Sequence, residues 1–445
     1  MQNQANLKCI IPKCGKEYPI SSTKIKCECG NLLDVNYKHS LSPNLKEIFY
    51  ERRNPQGSIF NESGVWRFRE LINFCGIDVE DLEQCSKNLV SLDGAEGRQS
   101  KPYHMSKVAN FIGIENERLM LQPEGYNPSG SFKDNGMSTA VTHAKMVGAK
   151  KIICASTGNT SASAGMYAAN ENMECDVYIP DGEIAPGKLS QAYQFGTQLI
   201  KVKGNFDDAF LRSLDAADES GSYTVNSVNP FRIEGQKTIL YRVLEFLNWE
   251  VPDWIIYPGG ALGNTSSCGK AIIELYQWGW IKKIPRIAVI NAAGANTLDV
   301  LYNGKFEGTE LRWNKGSPDI ELIERYYSKM QKDGIRPKTK ATAIQIGKPV
   351  NLLKGLRALE FTNGVVLSVE DKEMLDGMSV VGLNGFDCEM ASGAVPAGIK
   401  KLLDEEIIKN DDKIAGILTG RQKEPLLPID YHNDESNRFA RPPKA

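Results

Sequence analysis

The sequence predicts an α/β protein of two domains, built on mainly parallel sheets covered by helices, with a small cysteine-rich module in front. Short apolar runs recur from about residue 105 onward, and helix-length segments separate them. Strands of parallel sheets read as such near-continuous apolar runs, because helices cover both faces of the sheet. The module is indicated by four closely spaced cysteines, Cys9, Cys14, Cys27 and Cys29.

The cysteine-rich module is predicted over residues 1–42. Its cysteines are spaced C-x4-C and then C-x-C, and the segment between the two pairs can form a short hairpin. A unit this small has too little core to fold alone, so a structural zinc held by the four sulfurs would stabilise it. The tight second spacing leaves two alternatives open, a degenerate ribbon without metal and a set of unrelated free thiols.

Six apolar runs are predicted as strands, and ligands in such folds gather at the carboxyl ends of the strands. These runs cover residues 151–155, 176–180, 198–202, 254–258, 286–290 and 414–419. We divide the chain into a large domain of residues 43–140 and 228–425, a smaller α/β domain of residues 141–227, and a tail of residues 426–445. The charged segment 303–340 is interpreted as an insertion with one or two helices and as a candidate lid.

Composition and charge argue against several classes of function. The 445 residues include 53 Lys and Arg against 55 Asp and Glu, which gives no electrostatic reason to expect nucleic-acid or membrane binding. No apolar run approaches the roughly 18 residues of a transmembrane helix, and the first residues do not form a signal peptide, so a cytosolic protein is expected. None of the four histidines lies in a motif with a nucleophile, so a Ser-His or Cys-His hydrolase is poorly supported.

Lys133 is the first candidate for chemistry. It lies in a turn rich in Gly, Ser and Asn, within residues 125–137, that runs into a predicted helix. Lysine condenses readily with a carbonyl to give a Schiff base, and burial can tune its basicity. Such a role requires two further sites, one for the phosphate of a cofactor and one for its ring.

A second candidate is the segment 156–169, which follows a predicted strand. Small hydroxyl and amide residues there lead straight into a predicted helix. The helix N-terminus offers free backbone N–H groups and the positive end of the helix dipole, which suit a carboxylate or a phosphate. Helix capping with close packing is the alternative, because Ser, Thr and Asn are the usual capping residues.

The third candidate, residues 259–267, is the strongest phosphate cradle in the chain. Glycines after a predicted strand let the backbone turn tightly and approach an anion, whose charge meets the N-terminus of the following helix. A purely structural turn is the alternative.

The fourth candidate is the segment 223–238, which concentrates Asn, Ser, Arg, Lys and Thr in one turn. Arg232 suits the clamping of a substrate phosphate, with hydrogen bonds from the Asn and Ser side chains around it. A capped loop without a ligand is the alternative.

Taken together, these stretches resemble a known enzyme family. Residues 127–134 and 156–160 mark the fold-type-II pyridoxal-phosphate enzymes, which are built like the β subunit of tryptophan synthase. Residues 226–238 and 343–350 resemble the threonine synthase family in particular, in its longer type with an N-terminal cysteine ribbon. The resemblance covers about residues 100–425 and extends more loosely to the ribbon.

The resemblance implies how a cofactor is held. Lys133 would carry pyridoxal 5'-phosphate as a Schiff base, Asn159 would hydrogen-bond its phenolic oxygen, and Thr419 would meet its pyridine nitrogen. The cofactor phosphate would be bound by Gly260, Ala261, Leu262, Gly263 and Asn264.

The resemblance also implies a substrate that carries its own phosphate. The substrate carboxylate would be held by Ser156, Thr157 and Thr160, and its phosphate by Asn226, Ser227 and Arg232. The implied reaction converts O-phospho-L-homoserine and water to L-threonine and phosphate, in a homodimeric enzyme.

Three alternatives remain open. The nearest is a cysteate-synthase-like β-replacement on O-phosphoserine. A threonine/serine dehydratase is the next, although it needs no site for a substrate phosphate. The third is a catalytically inactive scaffold whose ribbon binds a partner, which the intact Lys133 and Asn159 argue against.

Overall fold

The computed structural model describes residues 5–38, 41–53, 58–181, 186–204, 206–424 and 426–441. The chain forms two compact units. Unit 1 consists of residues 1–100, 126–245 and 277–280, and unit 2 consists of residues 101–125, 246–276 and 281–445. The domain boundaries proposed from the sequence are drawn differently from these units and stay a prediction. Within the described ranges, no helix combines the length and the apolar character needed to cross a membrane.

The strands fall into three sheets. They are β1 (Ala5–Cys9), β2 (Glu17–Pro19), β3 (Leu33–Tyr37), β4 (Leu119–Pro123), β5 (Lys151–Ala155), β6 (Glu174–Pro180), β7 (Gln198–Val202), β8 (Tyr223–Thr224), β9 (Trp254–Pro258), β10 (Arg286–Ala292), β11 (Val365–Val369) and β12 (Ile414–Leu418).

Helices separate and cover most of these strands. They are α1 (Leu45–Arg52), α2 (Ile59–Glu62), α3 (Leu82–Asn88), α4 (Ser106–Ile112), α5 (Lys133–Met146), α6 (Asn159–Asn170), α7 (Pro186–Gln194), α8 (Phe206–Ser220), α9 (Pro230–Phe246), α10 (Gly263–Gln277), α11 (Thr297–Tyr302), α12 (Ile320–Lys332), α13 (Leu352–Phe361), α14 (Asp371–Gly382), α15 (Met390–Asp404) and α16 (Leu426–Asn433). Short 3₁₀ helices cover Trp66–Ile72, Asn116–Arg118, Glu124–Tyr126, Asn314–Gly316 and Thr342–Ile344.

The cysteine-rich module is an antiparallel sheet of order β2-β1-β3 in unit 1. Its own apolar side chains are few, and they pack with Phe74 and Phe231 from outside the module in one buried cluster. The small ribbon therefore completes its core with side chains of the rest of unit 1, as its size requires.

The larger sheet of unit 1 is parallel, in the order β7-β6-β5-β8. Alternate residues of β5 point to opposite faces. Ile152 packs with Val141 of α5, whereas Ile153 packs with Ala209 of α8. Because β5 and β8 are parallel neighbours, the chain leaves Ala155 and Thr224 at the same edge of the sheet.

The sheet of unit 2 is also parallel, in the order β11-β10-β9-β12-β4. α15 packs closely on it, since a Cβ at Gly416 of β12 would lie 2.5 Å from Val395, and a Cβ at Gly398 would lie 2.4 Å from Ile290. β9 and β12 are parallel neighbours, so the loops after Pro258 and Leu418 start at the same sheet edge.

The predicted fold class is confirmed, and all six predicted strands form. β6 and β10 extend beyond the predicted runs, and β4, β8 and β11 were not predicted. The segment 303–340 contains α12 and a 3₁₀ helix, in agreement with the one or two helices predicted there, and Asp319 caps α12 by accepting from the Leu322 N–H at 2.9 Å. The proposal that this segment is a lid stays a prediction.

Candidate functional site

Lys133 is the first residue of α5 and is half-buried. The turn before it is held by Asn127, whose Oδ1 accepts from the Gly97 N–H at 2.8 Å, and by Gly130, which takes a φ of +87°. A left-handed φ suits glycine, since a side chain there would be strained. The Lys133 amine lies 4.2 Å from the centre of the Phe132 ring.

Asp134 fixes this turn against α6. Its carboxylate accepts from the Ser129 N–H at 2.7 Å, the Ser129 hydroxyl at 2.6 Å and the Ser163 hydroxyl at 2.6 Å. The side chain is fully buried, and these bonds compensate for its lost hydration. Asp134 and Ser163 were not predicted as site residues from the sequence, because the contact between them joins segments far apart along the chain.

The Ser156–Thr160 loop starts where β5 ends. Ser156 Oγ accepts from the Gly158 N–H at 3.2 Å, and Asn159 is the first residue of α6. Thr157, Asn159 and Thr160 are half-buried. The N-terminal turn of α6 thus carries hydroxyl and amide side chains beside its backbone N–H groups. That this turn binds an anion stays a prediction.

Asn226 is tied to the backbone of β5. Its Oδ1 accepts from the Ala155 N–H at 3.0 Å, and its Nδ2 donates to the Ala155 carbonyl at 2.9 Å. The side chain therefore extends the β5–β8 pairing by one step and holds the start of the Ser156 loop. One hydrogen of its amide remains after these two bonds.

Arg232 lies in the first turn of α9 and is fully buried. Its Nη1 donates to the Val225 carbonyl at 3.2 Å, but its Nε and Nη2 have no hydrogen-bond partner among the described residues. Burial lowers the pKa of Arg232 to about 10, and the nearby Cys154 and Asp134 oppose this effect. The guanidinium stays protonated at neutral pH, with two buried donors unsatisfied.

In unit 2, the loop from Gly259 to Leu262 leads into α10. A Cβ at Gly260 would lie 3.1 Å from the backbone of Ile344, and Leu262 takes a φ of +63°. In the first turn of α10, Asn264 Oδ1 and Thr265 Oγ1 are buried and without a hydrogen-bond partner in the described part of the chain. The Thr265 hydroxyl can donate, so together with the helix N-terminus it suits an anionic group, whereas the Asn264 oxygen only accepts.

Thr419 directly follows β12, at the sheet edge where the loop from Gly259 to Leu262 also starts. Its hydroxyl donates to Glu389 Oε1 at 2.8 Å, and its N–H donates to Ser392 Oγ at 2.8 Å. Glu389 and Ser392 were missed from the sequence, since they lie at the start of α15, far from Thr419 along the chain.

The four cysteines of the ribbon converge. Cys9 and Cys29 lie 3.6 Å apart at sulfur, as do Cys14 and Cys27, and all four sulfurs lie within 4.8 Å of one another. Asn31 Nδ2 donates to the Cys29 sulfur at 3.5 Å, and this bond is the main cause that lowers the pKa of Cys29 to about 6.

The predicted residues thus fall into two groups. Lys133, the Ser156–Thr160 loop and the turn from Asn226 to Arg232 belong to unit 1, where the Asp134–Ser163 and Asn226–Ala155 contacts join them. The loop from Gly260 to Asn264 and Thr419 belong to unit 2 and leave neighbouring strands.

Comparison with known proteins agrees with this geometry. Residues 102–420 match the family model described as pyridoxal-phosphate dependent enzyme. The chain is 38% identical to the threonine synthase of Methanocaldococcus jannaschii over 412 residues, which is 92% of this chain and 90% of that protein. The chain belongs to the threonine synthase family of pyridoxal-phosphate-dependent enzymes. It is also 33% identical to the threonine synthase of Methanosarcina acetivorans over 429 residues, 96% of this chain and 94% of that one.

Solved structures support the fold of this threonine synthase family member. The L-serine ammonia-lyase of the fungus Rhizomucor miehei superposes with a TM-score of 0.60 at 18% sequence identity. The match covers 76% of this chain and 98% of the ammonia-lyase. The predicted fold is therefore confirmed, and the sequence matches confirm the predicted enzyme family.

Proposed function

We propose that the protein converts O-phospho-L-homoserine and water to L-threonine and phosphate. The similarity to threonine synthases, which extends over most of the chain, supports this reaction. The single structural observation that carries it is Arg232, a fully buried guanidinium whose Nε and Nη2 find no partner among the described residues. A buried charge with free donors is costly, and a substrate phosphate would satisfy both donors.

The residues present fit pyridoxal phosphate, which when bound would supply an electron sink for negative charge developing at Cα. Lys133 would hold it covalently through its amine, and Asn159 would hydrogen-bond its ring. The unsatisfied Thr265 hydroxyl, which can donate, supports a phosphate subsite at the start of α10. Thr419, held by Glu389 and Ser392, would orient the ring through its hydroxyl. The loop of the phosphate subsite comprises Gly260, Ala261, Leu262, Gly263 and Asn264.

The substrate would be bound by unit 1 residues at the edge where β5 and β8 end. Ser156, Thr157 and Thr160, with the N–H groups of α6, would hold the carboxylate. Arg232 and Ser227 would bind the phosphate, and the Asn226 amide would contribute its remaining hydrogen while it holds the Ser156 loop in place. The Lys133 amine would move protons at Cα and Cβ, so that phosphate leaves from Cγ and water adds at Cβ.

A substrate assay tests this function. We expect the purified protein, supplied with pyridoxal phosphate, to release phosphate from O-phosphohomoserine and to form threonine in equal amount. O-phosphoserine with sulfite, and serine or threonine alone, serve as parallel substrates. Phosphate release from O-phosphoserine only would make the protein cysteate-synthase-like, and conversion of threonine to an oxo acid would make it a dehydratase. Either result contradicts the proposal.

We also propose that the ribbon holds a structural zinc. Four sulfurs at about 2.3 Å from a tetrahedral zinc lie about 3.8 Å from one another. The observed separations of 3.6 Å within each pair, with all four sulfurs within 4.8 Å of one another, are close to this geometry. Four cysteine ligands would leave no open position for a substrate, so the metal would stabilise the fold.

Replacement of Cys27 with serine tests the zinc proposal. We expect zinc content to fall from about one atom per chain to near zero, because a tetrahedral site loses much of its affinity with one thiolate. Metal analysis by mass spectrometry measures this loss. Cys85→Ser is the control, since Cys85 is buried outside the ribbon and should leave the zinc content unchanged. Equal zinc content in all three proteins would rule the four-cysteine site out.

A homodimer and a cytosolic location are further proposals. The dimer is supported by the family resemblance alone. The location is supported by the ten cysteines, which are all free, as is usual in a reducing compartment.

A further inference from the structure

His143 joins the ribbon to the elements that carry the candidate site. It lies on α5, the helix that starts at Lys133. Its Nε2 is 2.7 Å from the Ile20 carbonyl of the ribbon, and its Nδ1 is 2.7 Å from the Tyr223 hydroxyl of β8. A carbonyl only accepts, so Nε2 carries the hydrogen and Nδ1 accepts from Tyr223. Burial lowers the pKa of His143 to about 4, so the ring is neutral at neutral pH.

The same imidazole stacks on Phe231, the residue before Arg232. The two ring centres are 3.5 Å apart and the planes differ by 12°. Phe231 belongs to the buried core of the ribbon together with Leu7 and Leu33. Its carbonyl accepts from the Thr139 hydroxyl of α5 at 2.8 Å. The first turn of α9 is therefore held between α5 and the ribbon.

A second link joins the ribbon to α9 one turn further on. The Tyr37 hydroxyl of β3 donates to Glu234 Oε2 at 2.7 Å, and Lys237 Nζ lies 2.6 Å from the same oxygen. Glu234 and Lys237 are both fully buried. A paired, hydrogen-bonded charge in the interior has a strong preference for one geometry, so this link fixes the rotation of α9.

α5 and α9 pack closely against each other beside the first turn of α9. A Cβ at Gly235 would lie 1.9 Å from the Asn135 carbonyl oxygen, so the two backbones touch there. The Gly235 N–H donates to Thr139 Oγ1 at 3.1 Å. α9 is thus held against α5 at Gly235, and the ribbon and His143 contact its first turn at Phe231.

We propose that His143 is a positioning residue through which the ribbon sets the affinity for a phosphorylated substrate. It holds Phe231, and with it the first turn of α9, so that the Arg232 guanidinium meets the substrate phosphate. This inference rests on the proposed role of Arg232. A small rotation of that turn moves the end of a long side chain much further, and hydrogen bonds between a guanidinium and a phosphate weaken when their distance and angle change.

Substitution of His143 by phenylalanine tests the inference. The variant keeps an aromatic ring against Phe231 but loses both hydrogen bonds, to Ile20 and to Tyr223. We expect the KM for O-phosphohomoserine and the Kd of inorganic phosphate, measured by calorimetry, to rise about tenfold, a change of about 1.4 kcal/mol. The kcat should stay within about twofold, because Lys133 is not displaced. His143→Gln, which keeps a donor for Ile20, should recover part of the affinity.

Two further variants keep the test decisive. His104→Phe makes the same change at a unit 2 histidine, whose Nδ1 is 2.9 Å from the Leu119 carbonyl, and should leave KM and the phosphate Kd unchanged. Phe231→Leu shortens the stacked side chain without removing a hydrogen bond, and it stands in if His143→Phe does not fold. Wild-type KM and phosphate Kd in a folded His143→Phe or Phe231→Leu protein would overturn the inference.

Arg232→Met separates this inference from the proposed function. If Arg232→Met raises KM but the His143 and Phe231 variants do not, Arg232 binds the phosphate without help from the ribbon, and only the positioning role is wrong. If Arg232→Met leaves KM unchanged, the role of Arg232 itself is wrong and the positioning role falls with it.

Discussion

Replacement of Lys133 with alanine is expected to abolish turnover and to leave a protein that no longer binds its cofactor covalently. We expect kcat to fall at least about 10³-fold, since the variant loses both the Schiff-base amine and the group that moves protons at Cα and Cβ. Wild-type protein should be yellow, and borohydride followed by peptide mass spectrometry should place the cofactor on Lys133.

The control for this prediction is Lys145→Ala, on the same helix. Lys145 pairs with Glu171 at 3.0 Å and is partly exposed, so its loss should leave colour and turnover close to wild type. Truncation of Lys133 should not unfold the protein, because Asp134 holds the turn through bonds to Ser129 and Ser163 that do not involve the lysine. A yellow Lys133→Ala protein that borohydride labels at another lysine would refute the assignment.

Strands whose apolar runs are bounded by turns could be predicted from the sequence. Strands whose hydrophobic pattern is ambiguous were not predicted. β5, β7 and β9 begin and end at the predicted residues. β4 and β11 are equally short and apolar, but a short apolar run cannot be told from a buried helix segment by periodicity alone. Their places in the sheet of unit 2 are decided by pairing with β12 and β10, which is distant in sequence.

In the candidate site too, residues in local motifs could be predicted, whereas contacts between distant segments could not. Lys133, Asn159 and Arg232 are recognisable because each sits in a local motif at the start of a helix. Asp134 and Glu389 are not, because their partners come from other elements. Asn226 is predicted from the sequence as a phosphate ligand, but its bonds to Ala155 could not be predicted, because they link two different strands.

Replacement of Arg232 with methionine is expected to weaken substrate binding strongly while leaving the fold as stable as before. A hydrogen bond to a charged group contributes about 1.5–3 kcal/mol, and two free donors would face the substrate phosphate, so kcat/KM should fall about 10²- to 10⁴-fold. Methionine removes a buried charge whose donors lack partners among the described residues, so the free energy of unfolding should stay equal or rise.

Arg67→Met is the matched control, because Arg67 is another buried arginine of unit 1 whose guanidinium is paired with a carboxylate. Its Nη2 lies 2.9 Å from Glu245, and methionine there would leave that carboxylate without its main partner, at a cost of about 3–5 kcal/mol in unfolding free energy. The KM of the protein that remains folded should be that of the wild type. Denaturant unfolding and steady-state kinetics on both variants separate the two roles. Loss of a side chain that serves ligand binding should weaken activity and not the fold. An Arg232→Met protein that is destabilised like Arg67→Met, with unchanged KM, would therefore make Arg232 a structural residue.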